Sequence, residues 1–354
     1  VTEPASTADP ESGSWSERVE EALDRSGEGR IEEKEGDLER ALRLYEEALS
    51  LLSDGPPTPL LSNLYRWMGT VRREMGDTDE ARVLYTRALE VAEEVESVAD
   101  RASALNCLAI VAQRQGKMER ARSLYGQAAR LAAEAGDHRL AGMVEQNLGV
   151  LANIRGDLDG ALVRYRASLE AFRRARDEEG CSWVLNNLGM LLTDLEEHDR
   201  AGAALAEALE IARRREDLHV ESLVQTNRAE GLIARARLED AEDACRRALE
   251  IAEGRGEPLK RAEALKFLGV VERERGHGDR AHELLVDSEQ LAEAGEDRLL
   301  LAEILRERGE LARRTGNFSS ARSLWKRALD GFRELDATLD AAELEAALDT
   351  LPEA

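Results

Sequence analysis

The sequence predicts an all-α chain built as a solenoid of eight helix pairs in a right-handed superhelix, with a C-terminal capping helix. Three observations predict it. Small and bulky residues recur at a step of 40, the composition is dominated by strong helix formers, and turn and cap residues fall at two fixed places in each period.

The register is set by alanines at Ala41, Ala81, Ala121, Ala161, Ala201, Ala241, Ala281 and Ala321, each 40 residues from the last. A bulky column follows four residues later: Tyr45, Tyr85, Tyr125, Tyr165, Leu205, Cys245, Leu285 and Trp325. Small residues form a third column at Gly29, Gly69, Ala109, Gly149, Gly189, Ala229, Gly269 and Gly309. Two helices that cross closely need small side chains where they approach and a large one beside them. One hairpin cannot bury its apolar face alone, and stacking eight makes a continuous core.

The composition agrees. Ala, Leu, Glu and Arg dominate, with 7 prolines in 354 residues, and Ala, Leu and Arg head the helix-propensity scale. Between the small and alanine columns stand Gly36, Gly76, Gly116, Gly156, Gly276 and Gly316, with Glu196 and Ala236 as exceptions. Glycine there ends a helix. Asp37, Asp77, Asp157 and Asn317 follow, and their side chains can accept from the free amides opening the next helix. A second set of caps, Asp137, Asp177, Asp217 and Asp297, marks the junction between repeats. Each repeat therefore reads helix A, turn, helix B, turn.

These residues resemble the tetratricopeptide repeat, which places Leu-Gly in helix A and Ala, an aromatic and Ala in helix B. Residues 147–169, NLGVLANIRGDLDGALVRYRASL, match that pattern apart from Ser168 in place of the last Ala. The resemblance covers residues 16 to 335. The 40-residue period exceeds the family's usual 34 and implies longer helices, a form similar to spindle-orientation adaptors, kinesin light chains, bacterial Rap-type peptide sensors and the sensor arms of large bacterial ATPase regulators.

Three segments are expected. Residues 1–13, rich in Ser, Thr, Pro and acids, read as a disordered tail or linker, and Val1 fits a segment of a longer protein. Residues 14–335 hold the eight repeats. They open with a capping box at Ser14 and Glu17 and a first helix A weakened by Arg25, Ser26, Gly27 and Gly29. Residues 336–354 supply a capping helix and tail, LDAAELEAALDTL being amphipathic.

Composition also excludes functions. A net charge of −24, from 73 acidic and 49 basic side chains, repels phosphate backbones and anionic membranes. No apolar run approaches the roughly 20 residues that span a bilayer. The cysteines Cys107, Cys181 and Cys245 lie far apart, which argues against a disulfide framework and for a reducing, cytoplasmic compartment. The five histidines show no metal-ligand spacing, no glycine-rich phosphate loop follows a strand, and no nucleophile stands beside a base. The reading is of a protein that is not an enzyme and takes no metal or cofactor.

The resemblance implies that the A helices line a concave groove. Counting from the small column, the expected peptide-binding residues are Asn106, Ile110, Gln113, Met143, Gln146, Asn147, Val150, Asn153, Trp183, Asn186, Asn187, Met190 and Asn227. Trp183, Met143 and Met190 read as apolar anchors. Asn147, Asn187 and Asn227 match the family's backbone-binding asparagine, with interhelical hydrogen bonding as the competing reading. Arg66, Arg73, Lys266, Arg273, Arg306 and Arg313 are expected to form a basic rim, the competing reading being that they balance helix acids. The expected partner is a protein or peptide with apolar anchors and acidic groups, held by a scaffold. The alternative is a ligand-sensing regulatory domain of a larger bacterial signalling or transcription-control protein.

Overall fold

The computed structural model describes residues 14–335 and 337–352, so the expected tail at 1–13 lies outside the described residues. The described residues form seventeen α-helices and no strand. Two compact units divide at Gly180/Cys181. The first holds the hairpins α1 (Trp15–Glu35) and α2 (Leu38–Leu52), α3 (Pro59–Glu74) and α4 (Thr78–Glu94), α5 (Val98–Arg114) and α6 (Met118–Ala135), and α7 (His138–Ile154) and α8 (Leu158–Ala175). The boundary cuts the first turn of α9 (Glu178–Asp194). The second unit holds most of α9, then α10 (His198–Arg214), α11 (Leu218–Ala234), α12 (Leu238–Arg255), α13 (Pro258–Glu274), α14 (Gly278–Ala294), α15 (Arg298–Arg314), α16 (Phe318–Glu334) and α17 (Thr338–Asp349).

Each hairpin closes as the columns require. The eight register alanines are buried, and so are the eight bulky residues four positions later. The glycines have a sharper role than close backbone approach: they seat the bulky side chain. A Cβ at Gly149 would stand 2.6 Å from the Tyr165 ring, and one at Gly309 would stand 2.3 Å from Trp325. Ser168, the departure from the family pattern, is fully buried and satisfied by donating to the Gly142 carbonyl at 2.7 Å. Ser62 and Ser288 do the same across their own hairpins, to Ala88 and Ala262.

The caps are as read. Asp37, Asp77, Asp157 and Asn317 accept from the amide three residues on, as do Asp137, Asp177, Asp217 and Asp297. The turn is set by register rather than by glycine alone. Glu196 and Ala236 take the left-handed conformation of the glycine column, with φ of 58° and 55°. The Glu197 amide then reaches the Leu192 carbonyl at 2.8 Å, as Asp157 reaches Ala152 in the glycine version. A side chain in that region costs about 1 kcal/mol or more, which the flanking helices sustain.

The first helix departs from expectation. Despite Gly27 and Gly29, α1 runs unbroken for 21 residues, opened by the Ser14–Glu17 capping box. Gly29 seats the Tyr45 ring, so packing against α2 compensates for its low helix propensity. At the other end α17 lays Ala341 and Leu344 against Trp325, Leu329 and Phe332 of α16, in the core cluster that ends the second unit.

Candidate functional site

Within each unit successive A helices lie side by side, α1, α3, α5 and α7 in the first and α11, α13 and α15 in the second. The face they share is where the expected site residues fall.

In the first unit, Met143 and Ile154 on α7 expose apolar side chains, 39% and 56% open to solvent, and Asn153 is exposed beside them. Gln146 and Val150 are half-buried, and Ile110 packs against the core around Tyr125. Gln113 accepts from the Tyr125 hydroxyl at 3.1 Å, tying the A helix to its own B helix. Asn106 is buried and accepts from the Asn147 amide at 3.0 Å.

In the second unit, Trp183 is half-buried, with its ring centroid 5.8 Å from His219 at a 47° tilt. Met190, two helical turns further along α9, is 44% exposed. Asn187 is half-buried, whereas Asn186 and Asn227 are buried and joined at 2.8 Å, Asn227 donating. Two of the three asparagines read as backbone-binding, Asn147 and Asn227, therefore bridge successive A helices. This is the interhelical alternative, and it leaves Asn187 as the half-buried amide of the three without such a bridge.

Five of the six basic residues already meet a carboxylate of the chain, and Arg66 meets a neutral amide. Lys266 is buried, 2.5 Å from Glu303, and Arg273 meets Glu307 at 2.5 Å and Glu274 at 3.0 Å. Arg306 pairs with Asp340 at 2.7 Å and Arg313 with Glu310 at 2.7 Å. In the first unit Arg73 lies 3.4 Å from Glu74, while Arg66 donates to Asn63 at 2.7 Å and lies over the Trp67 ring. For Lys266, Arg273 and Arg306 the physical reason is spacing: carboxylates 34 or 37 residues downstream fall on the next helix of the face, across from the cation, and a search for opposite charges at those offsets would have found these three pairs.

Sequence reasoning also missed two carboxylates among the 73. Asp194 and Glu230 stand at the ends of α9 and α11, and desolvation pushes both carboxyls up from the ordinary range. Glu230 reaches water but is crowded by protein. Lys266 and Arg306 oppose its rise, and Asp194 and Glu303 add to it. The second unit's A-helix face is thus a mixed field of paired charges around an apolar strip.

Among the described residues no group of three or more His, Cys, Asp or Glu side chains is placed to hold a metal ion. Burial pushes the Cys107 thiol up, and the Cys245 thiol up to about 12, away from the thiolate a nucleophile needs. No described helix is long and apolar enough to cross a membrane.

A repeated hairpin that seats a ring on a glycine and sets its A helices side by side defines a helical-repeat protein of the tetratricopeptide type. The chain belongs to the tetratricopeptide-repeat family. A family model described as the MalT-like TPR region matches residues 15–140, and a tetratricopeptide-repeat model matches residues 143–214. No curated protein matches the chain. Among solved structures, the fold is similar to a signal-transduction ATPase with a tetratricopeptide-repeat sensor from Pyrococcus horikoshii, at TM-score 0.69 and 16% identity. That match covers 95% of this chain and 50% of the ATPase. A Rap protein complexed with competence and sporulation factor matches at TM-score 0.62 and 16% identity, over 93% of this chain and 97% of that one. The apo quorum sensor NprR from B. thuringiensis matches at 0.60 and 12%, over 93% and 98%.

Proposed function

We propose that the chain is a regulatory binding domain that takes a peptide on the shared face of its A helices. The observation that carries this is on α9: Trp183, half-buried, and Met190, 44% exposed, stand seven residues apart and so present one apolar face to water. A tryptophan with a methionine two turns away offers a flat anchor and an adaptable one. Met143 and Ile154 give the first unit a similar exposed apolar strip.

The similar structures support regulation over a passive scaffold, since they include a sensor arm, a quorum sensor and a Rap protein with its bound factor. The expectation of acidic groups on the partner is weakened, because Lys266, Arg273, Arg306 and Arg313 already meet carboxylates within the chain. Apolar anchors remain the favoured feature of a partner.

A peptide library selected on the immobilised chain, followed by calorimetric titration of the selected peptide, tests the proposal. Trp183→Ala should weaken binding about thirtyfold, the roughly 2 kcal/mol of a buried aromatic anchor. Small-angle scattering should show a change in dimensions on peptide addition if the domain is regulatory. Parent-like affinity in Trp183→Ala, with binding lost in the B-helix variant Arg164→Glu, would move the site off this face.

A further inference from the structure

One cavity of the second unit breaks the repeat's own rules. The position just before the small column is Met68, Leu108, Leu148, Leu188 and Leu268 in repeats two to five and seven, yet Arg228 in the sixth. Two positions after the small column stand Ile31, Val71, Val111, Leu151, Leu191, Val271 and Leu311, yet Gly231 in the sixth. Where the period calls for two aliphatic side chains, this repeat supplies a guanidinium and no side chain at all.

The result is a cavity of about 280 Å³ between α9, α10 and α11. Arg228, Arg235 and Arg237 line it, with His198, Asp199 and the open backbone of Gly231. Gly231 does not seat a ring as Gly149 does. A Cβ there would meet one atom, Thr193 Oγ1, at an ordinary 3.6 Å, so the glycine leaves room rather than making a tight contact. At about 30 Å³ per water the space holds roughly nine waters, enough for a phosphate or a small carboxylic acid.

The charges do not balance. Arg235 pairs with Asp199 at 2.9 Å and Arg237 with Asp240 at 2.6 Å. Arg228 donates to Gln225, three residues back on its own helix, and among the described residues no carboxylate lies within ion-pair distance of it. The eighth repeat has an arginine at the same position, and there Glu289 meets Arg308. The sixth repeat has no such answer. His198 Nδ1, also at this cavity, is buried with no hydrogen-bond partner. Desolvation lowers the Arg228 pKa, Arg213 and Arg237 lower it further, and Asp240 opposes them.

We propose that this cavity binds a small oxyanion, a carboxylate or phosphate group that pairs with Arg228. The site is independent of the peptide reading, because none of the residues proposed to grip a peptide lines it. A guanidinium facing an empty aliphatic slot destabilises the free chain slightly, and a bound oxyanion supplies the charge-assisted bonds that offset this.

The test is calorimetric titration of the full chain with inorganic phosphate and, separately, succinate, against chloride at matched ionic strength. At least one anion should bind with one-to-one stoichiometry. A response to phosphate alone indicates a phosphorylated ligand, and a response to succinate alone a carboxylate. Arg228→Leu, which restores the chain's own column, should lower the affinity about tenfold or more without lowering the melting temperature of the free protein. Gly231→Val should fill the space and abolish binding while every arginine remains. If neither anion binds at millimolar concentration, or if both variants bind as the parent does, the proposal is overturned.

Discussion

Removing one member of the Asn186–Asn227 pair should destabilise the chain, and removing Asn227 should leave peptide affinity nearly unchanged. Asn186 and Asn227 are 2% and 8% exposed, and the Asn227 amide meets the Asn186 oxygen at 2.8 Å. Asn227→Ala strips that oxygen of its donor in a place water hardly reaches, at a cost of about 1–3 kcal/mol. Asn186→Ala strands the Asn227 amide at a similar cost. The double variant strands neither, so the two single losses together should exceed its loss by about 1 kcal/mol. Guanidinium denaturation followed by circular dichroism measures this, provided the slope is common to all four proteins, because repeat arrays can lose cooperativity. Singles that add to the double within about 0.3 kcal/mol, together with a tenfold loss of peptide affinity in Asn227→Ala, would refute the reasoning and return the amide to the ligand.

Three further outcomes follow from the packing and the ionisable groups. Ala161→Leu should overpack the fourth hairpin by about 1–3 kcal/mol, and Gly149→Ala, whose Cβ would press on Tyr165 at 2.6 Å, should also destabilise it; unchanged melting curves would place the register elsewhere. Burial raises the Tyr85 and Tyr165 phenols from 10.0 to about 12 in the folded chain. The unfolded chain then loses those protons first, so stability is full below pH 10 and falls as pH rises toward 12. Denaturation midpoints that stay level across that window would contradict this burial. His219→Ala should weaken selected-peptide binding less than Trp183→Ala does, because His219 flanks the Trp183 ring 5.8 Å away; an equal loss in titration would make the pair, rather than the indole, the anchor.

The period, the hairpins, their turns and their caps were all legible in the order of residues. These depend on near neighbours: an aspartate three residues before the amide it caps, a small residue sixteen before the ring it seats. Repetition made each signal count eight times, so even Glu196 and Ala236 could be assigned to a glycine-like turn. What the A-helix side chains face follows from how the helices pack. Asn147 finds Asn106 at an offset of 41, Lys266 finds Glu303 at 37, and Arg273 finds Glu307 at 34. Those offsets depend on how far one A helix slides and rotates against the next, which the 40-residue period does not specify. Hence Asn147, Asn227, Lys266, Arg273 and Arg306, which read as a binding surface, each bond to a neighbouring helix. The exposed Met190, the half-buried Trp183 and the cavity at Arg228 are what that packing leaves open.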